Sequence, residues 1–377
     1  MPMKPTNMII AVVLLISGHL IAQPAPDFTI EGHGDLYVLH NTDNTVRVIA
    51  ARNNGNVLDT TLVQLPENLK FHYFAAAPDS GIDFEFQLHK RIKHSWRQEK
   101  PEKTLVVADL HGQLDAFVAF LKGNGVVNDN LEWVYGKNQL LILGDILDRG
   151  RNDNGIMWLV YKLEKEAEDA GGRLDFILGN HEDLVLRDDI RYVHEEHLIF
   201  AAKAGIPYAD LYASHSELGR WIRDSYLILV VGDNLFVHAG LHPKITEKKY
   251  KIGEINELGW RFIGIPTEAK KELHRRNELL FGDSGPLWYR GLASDAERHS
   301  PLKSEDLDKV LEYYDAARII VGHTEVDEVD WRYNGRVIAV NVRHYRNFGK
   351  HRTAGLLIEG DNYFTVNYTG DKVKLNK

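Results

Sequence analysis

The sequence predicts a fold of the α/β (α+β) class: two mixed β-sheets packed face to face as a central sandwich, helices outside, and a smaller β extension at the N-terminus. Three observations carry that expectation. From Thr104 onward, short apolar runs alternate with stretches of helical period. Five of those runs end in residues of metal-ligand type instead of an ordinary turn. The C-terminal part returns to strand formers separated by turn signals such as GDN at 360–362.

A chain of 377 residues with 44% hydrophobic content has enough apolar side chains for one large core or two smaller ones. Its net charge of −9 provides no basic field to gather nucleic acid, so no nucleic-acid partner is expected. Cysteine is absent, which removes disulfides, thiolate zinc sites and cysteine nucleophiles together. Any bound metal would be held by nitrogen and oxygen, a donor set suited to zinc, manganese or iron.

In chain order, residues 1–22 carry Lys4, an apolar run at 8–16 and a small residue, Ala22, before Gln23. This predicts a secretory signal peptide, since the run falls short of the about 20 residues that a spanning helix needs. The expectation is an exported protein, periplasmic or secreted, starting near Gln23 and without stable membrane insertion once the signal is removed. Pro24 and Pro26 make an extended linker. Strands are expected at 36–39, 45–50 and 60–65, in a β extension or small domain spanning 23–97. A catalytic domain is expected over 98–377. Helices are predicted over 113–122 and 154–169, the second with Ile156, Leu159, Val160 and Leu163 on one stripe and Gly171 and Gly172 ending it.

Residues 183–223 read as mostly helical, interrupted at Pro207 and Gly219. Within them His194 and His197, with Glu195 and Glu196, follow no core strand, and the spacing predicts a solvated helix face. Residues 227–231 and 235–237 make a hairpin around Asp233 and Asn234. The charged stretch 248–283 is expected to be a cap or loop with one helix, and 307–317 a helix leading into a strand at 318–321. Residues 336–341, 356–359 and 363–368 are expected as antiparallel strands.

The candidate site centres on GDILDRG at 144–150, where Asp145, Asp148 and Arg149 follow the run 140–143. Gly144 allows close approach of backbone and side chain to an ion. Asp109 and His111 follow 105–108, Asn180, His181 and Glu182 follow 176–178, His238 follows 235–237, and His323 follows 319–321. Ligands of open α/β sheets gather at the carboxyl ends of strands, so these clusters can converge in space.

The ordered set ADLHG, GDILDRG, GNHED, HAGL and GHTE resembles the calcineurin-like metallophosphoesterases over about 104–325, and GDxxDRG with GNHE resembles their phosphoprotein phosphatase branch. GPLWYRG at 285–291 and the helical insert after Glu182 resemble the bacterial Shewanella-like phosphatases. The resemblance implies two divalent or mixed-valence iron-containing metal ions, manganese, iron or zinc, with Asp145 as the bridge. It gives Asp109 and His111 to the first metal, and Asn180, His238 and His323 to the second, with a bridging water as nucleophile. Arg149 and Arg290 would bind phosphate oxygens, suiting the guanidinium fork. His181 would be the general acid, its ring held by Asp148. Ala108 departs from the glycine often found before the first aspartate. Glu325 stands where many wider superfamily members carry a histidine, which leaves it open as a carboxylate ligand or a partner of one.

The implied function is a secreted dinuclear-metal phosphomonoesterase acting on phosphorylated protein or small phosphomonoesters, phosphotyrosine favoured, with Trp288 and Tyr289 available to stack on a phenyl ring. A nucleotide or diadenosine polyphosphate hydrolase would use the same site but fits the signal peptide less well. A binding protein that keeps its metals without turnover is the third reading.

Overall fold

In the computed structural model the described residues are 28–77, 79 and 81–375; the expected signal segment and the linker prolines lie outside them. Six strands come first: β1 (Thr29–His33), β2 (Leu36–His40), β3 (Val46–Ala51), β4 (Val57–Leu62), β5 (Lys70–Phe74) and β6 (Asp83–Phe86). β2, β3 and β4 form an antiparallel meander, while β1, β5 and β6 make a second sheet in which β1 and β5 run parallel. The third strand expected here begins before residue 60, because Val57 and Leu58 pair with Ala51 and Ala50 whereas Val63 turns outward, 84% exposed.

Then come β7 (Arg97–Gln98), β8 (Lys103–Val107), α1 (Leu114–Gly123), β9 (Gln139–Ile142), α2 (Asp153–Asp169) and β10 (Arg173–Phe176). Three helices follow, α3 (Asn180–Leu186), α4 (Glu195–Ala204) and α5 (Glu217–Arg223), and after them the hairpin β11 (Ile228–Val231) and β12 (Asn234–Val237). Residues 244–280 hold α6 (Lys244–Glu247), α7 (Ile252–Phe262), α8 (Thr267–Leu273) and α9 (Asn277–Leu280). The chain ends in α10 (Ser304–Tyr314), β13 (Arg318–Val321), β14 (Asp330–Arg332), β15 (Val337–Ala339), α11 (His344–Asn347), β16 (Ala354–Glu359), β17 (Asn362–Asn367) and β18 (Lys372–Lys374).

The later strands build two six-stranded mixed sheets, one in the order β10-β9-β8-β16-β17-β18, the other β14-β15-β13-β12-β11-β7. Polar pairs tie one sheet to the other where they face. Gln98 of β7 donates to Asp175 of β10 at 3.1 Å, and Tyr363 of β17 donates to Asn234 of β12 at 2.9 Å. In the first sheet β8, β9 and β10 are parallel neighbours, and in the second β12 and β13 are. Their carboxyl ends therefore lie together along one edge of each sheet.

Three expectations need correcting. The stretch 248–283 holds three helices instead of one, because Ile252, Ile255, Leu258 and Phe262 of α7 are buried and Lys270 of α8, itself buried, pairs with Asp183 of α3 at 2.5 Å. The strand near 337 is not simply antiparallel: β15 lies parallel to β13 and antiparallel to β14. His197 is no solvated residue; it is 1% exposed. Periodicity misjudged it because the N-terminal extension covers that face of the helix region. The same covering widens the buried stripe of α2 beyond the four expected residues. Trp158 stacks on Phe86 at 4.5 Å and donates its indole N–H to the Leu36 carbonyl at 2.9 Å. A buried aromatic of this size withdraws about 150–250 Å² from water, roughly 4–6 kcal/mol, so the extension is packed on α2 and not merely tethered.

Candidate metal centre

Backbone hydrogen bonds zip the loops after β8 and β9 together: Asp109 N–H to Gly144 O at 3.1 Å, His111 to Asp145 at 2.9 Å, Gly112 to Ile146 at 3.0 Å. The loops after β9 and β10 touch as closely. A Cβ on Gly179 would lie 2.1 Å from Asp145 Oδ1, and one on Gly144, whose φ is +84°, would lie 2.6 Å from Gly179 Cα. Only glycines fit there. The two sheets are joined at the site itself, where the His323 N–H donates to Asp109 Oδ2 at 2.9 Å.

Asp109, His111, Asp145, Asp148, Arg149 and His323 all have φ between +43° and +73°, the left-handed region that L-residues occupy at a cost of about 1–3 kcal/mol each. Such conformations hold only where the surroundings over-determine them, and one of those supports was missed in the sequence. Glu182, 0% exposed, accepts the N–H groups of Gly179, Asp145, Ile146 and Leu147 at 2.8–3.1 Å and moulds the loop that presents Asp145. Its place at the third residue of α3, reaching back to the Gly179 N–H, is the carboxylate half of a capping box, and that half was legible in GNHED.

All six residues proposed as metal ligands come together. Asp145 Oδ2 is 3.7 Å from His111 Nε2 and 3.4 Å from His238 Nε2, and His238 Nε2 is 3.0 Å from Asn180 Oδ1 and 3.2 Å from His323 Nδ1. Asp109 Oδ2 is held beside His323 by the bond joining the sheets. Ligand atoms of His111, Asp145 and His181 lie within 4.8 Å of one another, as do those of Asp145, His238 and His323.

Two imidazoles are pinned by their other nitrogen. His111 donates Nδ1–H to the Leu147 carbonyl at 3.0 Å, and His238 donates Nδ1–H to Leu143 at 2.5 Å. Each therefore turns Nε2, its remaining nitrogen, toward Asp145, an acceptor toward an acceptor unless a cation intervenes. His323 Nε2 is buried with no partner. Burial and the Asp145 charge push Asp109 up to about 7, while burial pulls His111 down to about 3. Burial also works against Asp145, but His238, His181 and His111 outweigh it and hold that carboxyl well below its ordinary range. Burial lowers His238, yet Asp145 raises it to about 9; a proton there stands in for the charge that a metal would bring. This oxygen and nitrogen donor set fits a pair of cations.

Beside it, His181 Nδ1 and Asp148 Oδ2 are 2.7 Å apart, and His181 Nε2 faces Arg149 Nη2 at 3.3 Å. Burial opposes a charge on His181, but Asp145 and Asp148 prevail and raise it. Arg149 is exposed and Arg290 half-buried. Arg290 donates to the His323 carbonyl at 3.2 Å, and neither guanidinium has a carboxylate partner among the described residues. An oxyanion would find both forks at the rim of the cluster. Glu325 pairs with Arg343 at 2.7 Å and accepts from the Tyr345 hydroxyl at 3.3 Å. It is one of the groups whose negative charge acts on Arg290.

Tyr289 is 2% exposed and donates its hydroxyl to Ser300 O at 2.7 Å, which removes it as a stacking residue. Trp288 is half-buried, edge-on to His323 at 6.0 Å. Tyr192, unnoticed in the sequence because it sits in the helical insert, has its ring 5.2 Å from His181 and is 44% exposed. Its carbonyl accepts the Arg149 N–H at 2.7 Å, which seats it at the site mouth.

A sequence profile of the calcineurin-like phosphoesterases matches residues 102–327. Shewanella-like protein phosphatase 2 of Arabidopsis thaliana is 30% identical over 292 residues, 65% of this chain and 72% of that protein. Shewanella-like protein phosphatase 1 of Plasmodium berghei is 28% identical over 225 residues, 59% of this chain and 61% of that protein. The solved structure of a cold-active protein-tyrosine phosphatase from a psychrophilic Shewanella species superposes with a TM-score of 0.79 at 26% identity, covering 91% of this chain and 99% of its own.

Proposed function

Since this chain belongs to the calcineurin-like phosphoesterase family, with Shewanella-like protein phosphatases among its relatives, we propose that it is an exported dinuclear-metal phosphomonoesterase that dephosphorylates protein, phosphotyrosine in preference to phosphoserine. The observation that carries the reading is the pairing of the His181–Asp148 couple with two carboxylate-free guanidinium groups at the rim of a buried Asp/His cluster. Asp109, His111, Asp145, Asn180, His238 and His323 would hold the metals, with Asp145 shared. When bound, the two cations would supply Lewis acidity to a water and to the phosphoryl oxygens. Arg149 and Arg290 orient the phosphoryl group through paired N–H donors. His181 gives a proton from Nε2 to the departing oxygen while Asp148, bonded to Nδ1, keeps the ring in register. Glu182 holds the Asp145 loop against its own backbone strain.

The tyrosine preference is supported by the likeness to the protein-tyrosine phosphatase from Shewanella and by the two aromatic side chains near the site, Tyr192 against His181 and Trp288 against His323. Manganese, iron and zinc suit the donor set, and metal analysis of the purified protein decides among them. Export rests on residues 1–22; a mature N-terminus near Gln23 in the native host is expected, and recovery of intact Met1 would overturn it.

The test of the chemistry is the dependence on the leaving group. General acids contribute about 10²–10⁴-fold, most where the departing oxygen is most basic. His181→Asn should lower kcat most on a phosphoserine peptide, less on phosphotyrosine and least on p-nitrophenyl phosphate, measured on metal-replete protein. Equal ratios across the three would remove the proton-donor role.

A further inference from the structure

Next to the metal cluster, and sharing none of its ligands, lies a second buried charge group. It is built from three distant parts of the chain: Asp35 between β1 and β2, Asp153 at the start of α2, and His197 on α4. His197 Nδ1 is 2.7 Å from Asp35 Oδ1, and Nε2 is 2.8 Å from Asp153 Oδ1. Asp153 is 0% exposed and Asp35 5%. Burial alone would drive this imidazole neutral, but the two carboxylates outweigh it and keep it charged well above its ordinary range. The Tyr37 hydroxyl donates to Asp35 at 3.0 Å, and the ring of Tyr208 covers His197 at 6.0 Å.

The group leads to the proton donor. Asp153 Oδ2 accepts the Asp148 N–H at 3.1 Å, and Asp148 Oδ2 in turn meets His181 Nδ1 at 2.7 Å. Asp148 stands at a φ of +73°, and its Oδ1 has no partner. Among the described residues its side chain bonds only to His181, while its N–H is held by Asp153 and its carbonyl by the Gly150 N–H at 2.9 Å. The extension is tied to the same place by the Leu36 N–H on Asn154 Oδ1 at 3.1 Å and the Ala76 N–H on Asn152 Oδ1 at 2.8 Å.

We propose that His197, clasped between Asp35 and Asp153, is a positioning residue for the proton donor, and that the N-terminal β extension, which supplies Asp35, is thereby part of the catalytic apparatus. The inference rests on His181 as general acid. The Asp153 carboxylate that accepts the Asp148 N–H is held in place on its other oxygen by the His197 charge. Without His197 two buried carboxylates lose the cation between them, and the seat of Asp148 shifts. Misplacement of a reacting group by 1 Å can cost about 10²-fold.

His197→Gln keeps the shape and removes the charge. On metal-replete protein it should lower kcat on a phosphoserine peptide roughly 10–100-fold and on p-nitrophenyl phosphate by less than about 3-fold, with metal content and KM unchanged. Placed on His181→Asn, it should leave the ratio between the two substrates where His181→Asn alone set it. A role confined to stability would lower both substrates by one factor; that result, or no loss at all, overturns the proposal. If His197→Gln does not fold, Asp35→Asn, a change on the extension itself, should show the same ordering at smaller size, and equal ratios there overturn it too. Wild-type protein inactive on every phosphomonoester would instead overturn the phosphatase reading on which the proposal rests.

Discussion

The histidines around Asp145 and the histidine between Asp35 and Asp153 are about equally buried, yet they are wired in opposite ways. His197 meets a carboxylate oxygen at each nitrogen, a hydrogen bond to Asp35 at 2.7 Å and an ion-pair contact with Asp153 at 2.8 Å that lacks hydrogen-bond geometry, and its charge is balanced within the protein. His111 and His238 spend one nitrogen on a backbone carbonyl and aim the other at Asp145 from 3.4–3.7 Å, while His323 Nε2 has neither a hydrogen bond nor a carboxylate among the described residues. The first arrangement is closed. The second is short of positive charge, and the backbone at Asp109, His111, Asp145 and His323 is held in left-handed conformations that turn these side chains toward one another. Residue type and burial do not separate a metal site from a structural ion pair; the direction of the second nitrogen does.

Asp145→Asn should break the contrast most severely. The amide offers one oxygen in place of two and no charge, so metal content should fall and kcat drop by at least roughly 10²–10³-fold. Asp153→Asn, by comparison, should leave both metals in place. Elemental analysis with kinetics checks both; Asp145→Asn protein with two metals and normal turnover would remove the bridging assignment.

The closed cluster should reveal itself through pH. Facing His197 are Asp35 from the extension, Asp153 from α2, the Tyr208 ring and, on its own side, His194. Its folded pKa is raised, so its contribution is fully present below the unfolded value of about 6.5 and is lost as pH rises through the folded one. Breaking such a buried pair costs about 3–5 kcal/mol. The difference in Tm between wild type and His197→Gln should be largest near pH 6 and shrink on the alkaline side; a gap that widens with pH contradicts a charged His197.

Metal removal probes the open cluster. At a free concentration 100 times Kd, metal adds about 2.7 kcal/mol to stability. Chelation should therefore lower the Tm of wild type and of His197→Gln by similar amounts, because the two clusters share no ligand. The smallest effect concerns the mouth: Tyr192→Ala should raise KM for a phosphotyrosine peptide about 2–10-fold, the worth of one aromatic contact, and leave phosphoserine unchanged.

What was legible follows from the same contrast. The metal cluster showed in the sequence because each member ends a core strand, so apolar run and ligand sit side by side. The central strands and the long helices α2 and α10 were readable for a similar reason, each carrying its own periodicity. His197 was not readable, since its partner Asp35 is 162 positions away and nothing local distinguishes it from a residue on a wet helix. The helices of 248–283 were hidden likewise: Lys270 reads as surface until Asp183 is placed beside it.

That Lys270–Asp183 pair has a consequence for how the molecule opens. Asp183 belongs to the helix that carries Asn180 and His181, and besides Lys270 it accepts the Gly264 N–H at 2.9 Å. The helix bearing His181 and the segment 264–270 are thus latched to each other, and neither can come loose without breaking the buried Lys270–Asp183 ion pair. In native-state hydrogen exchange the amides of the two segments should open as one cooperative unit, below the free energy of global unfolding. A break in the 264–270 segment would then unfasten the helix that carries His181 while most of the sandwich stayed folded.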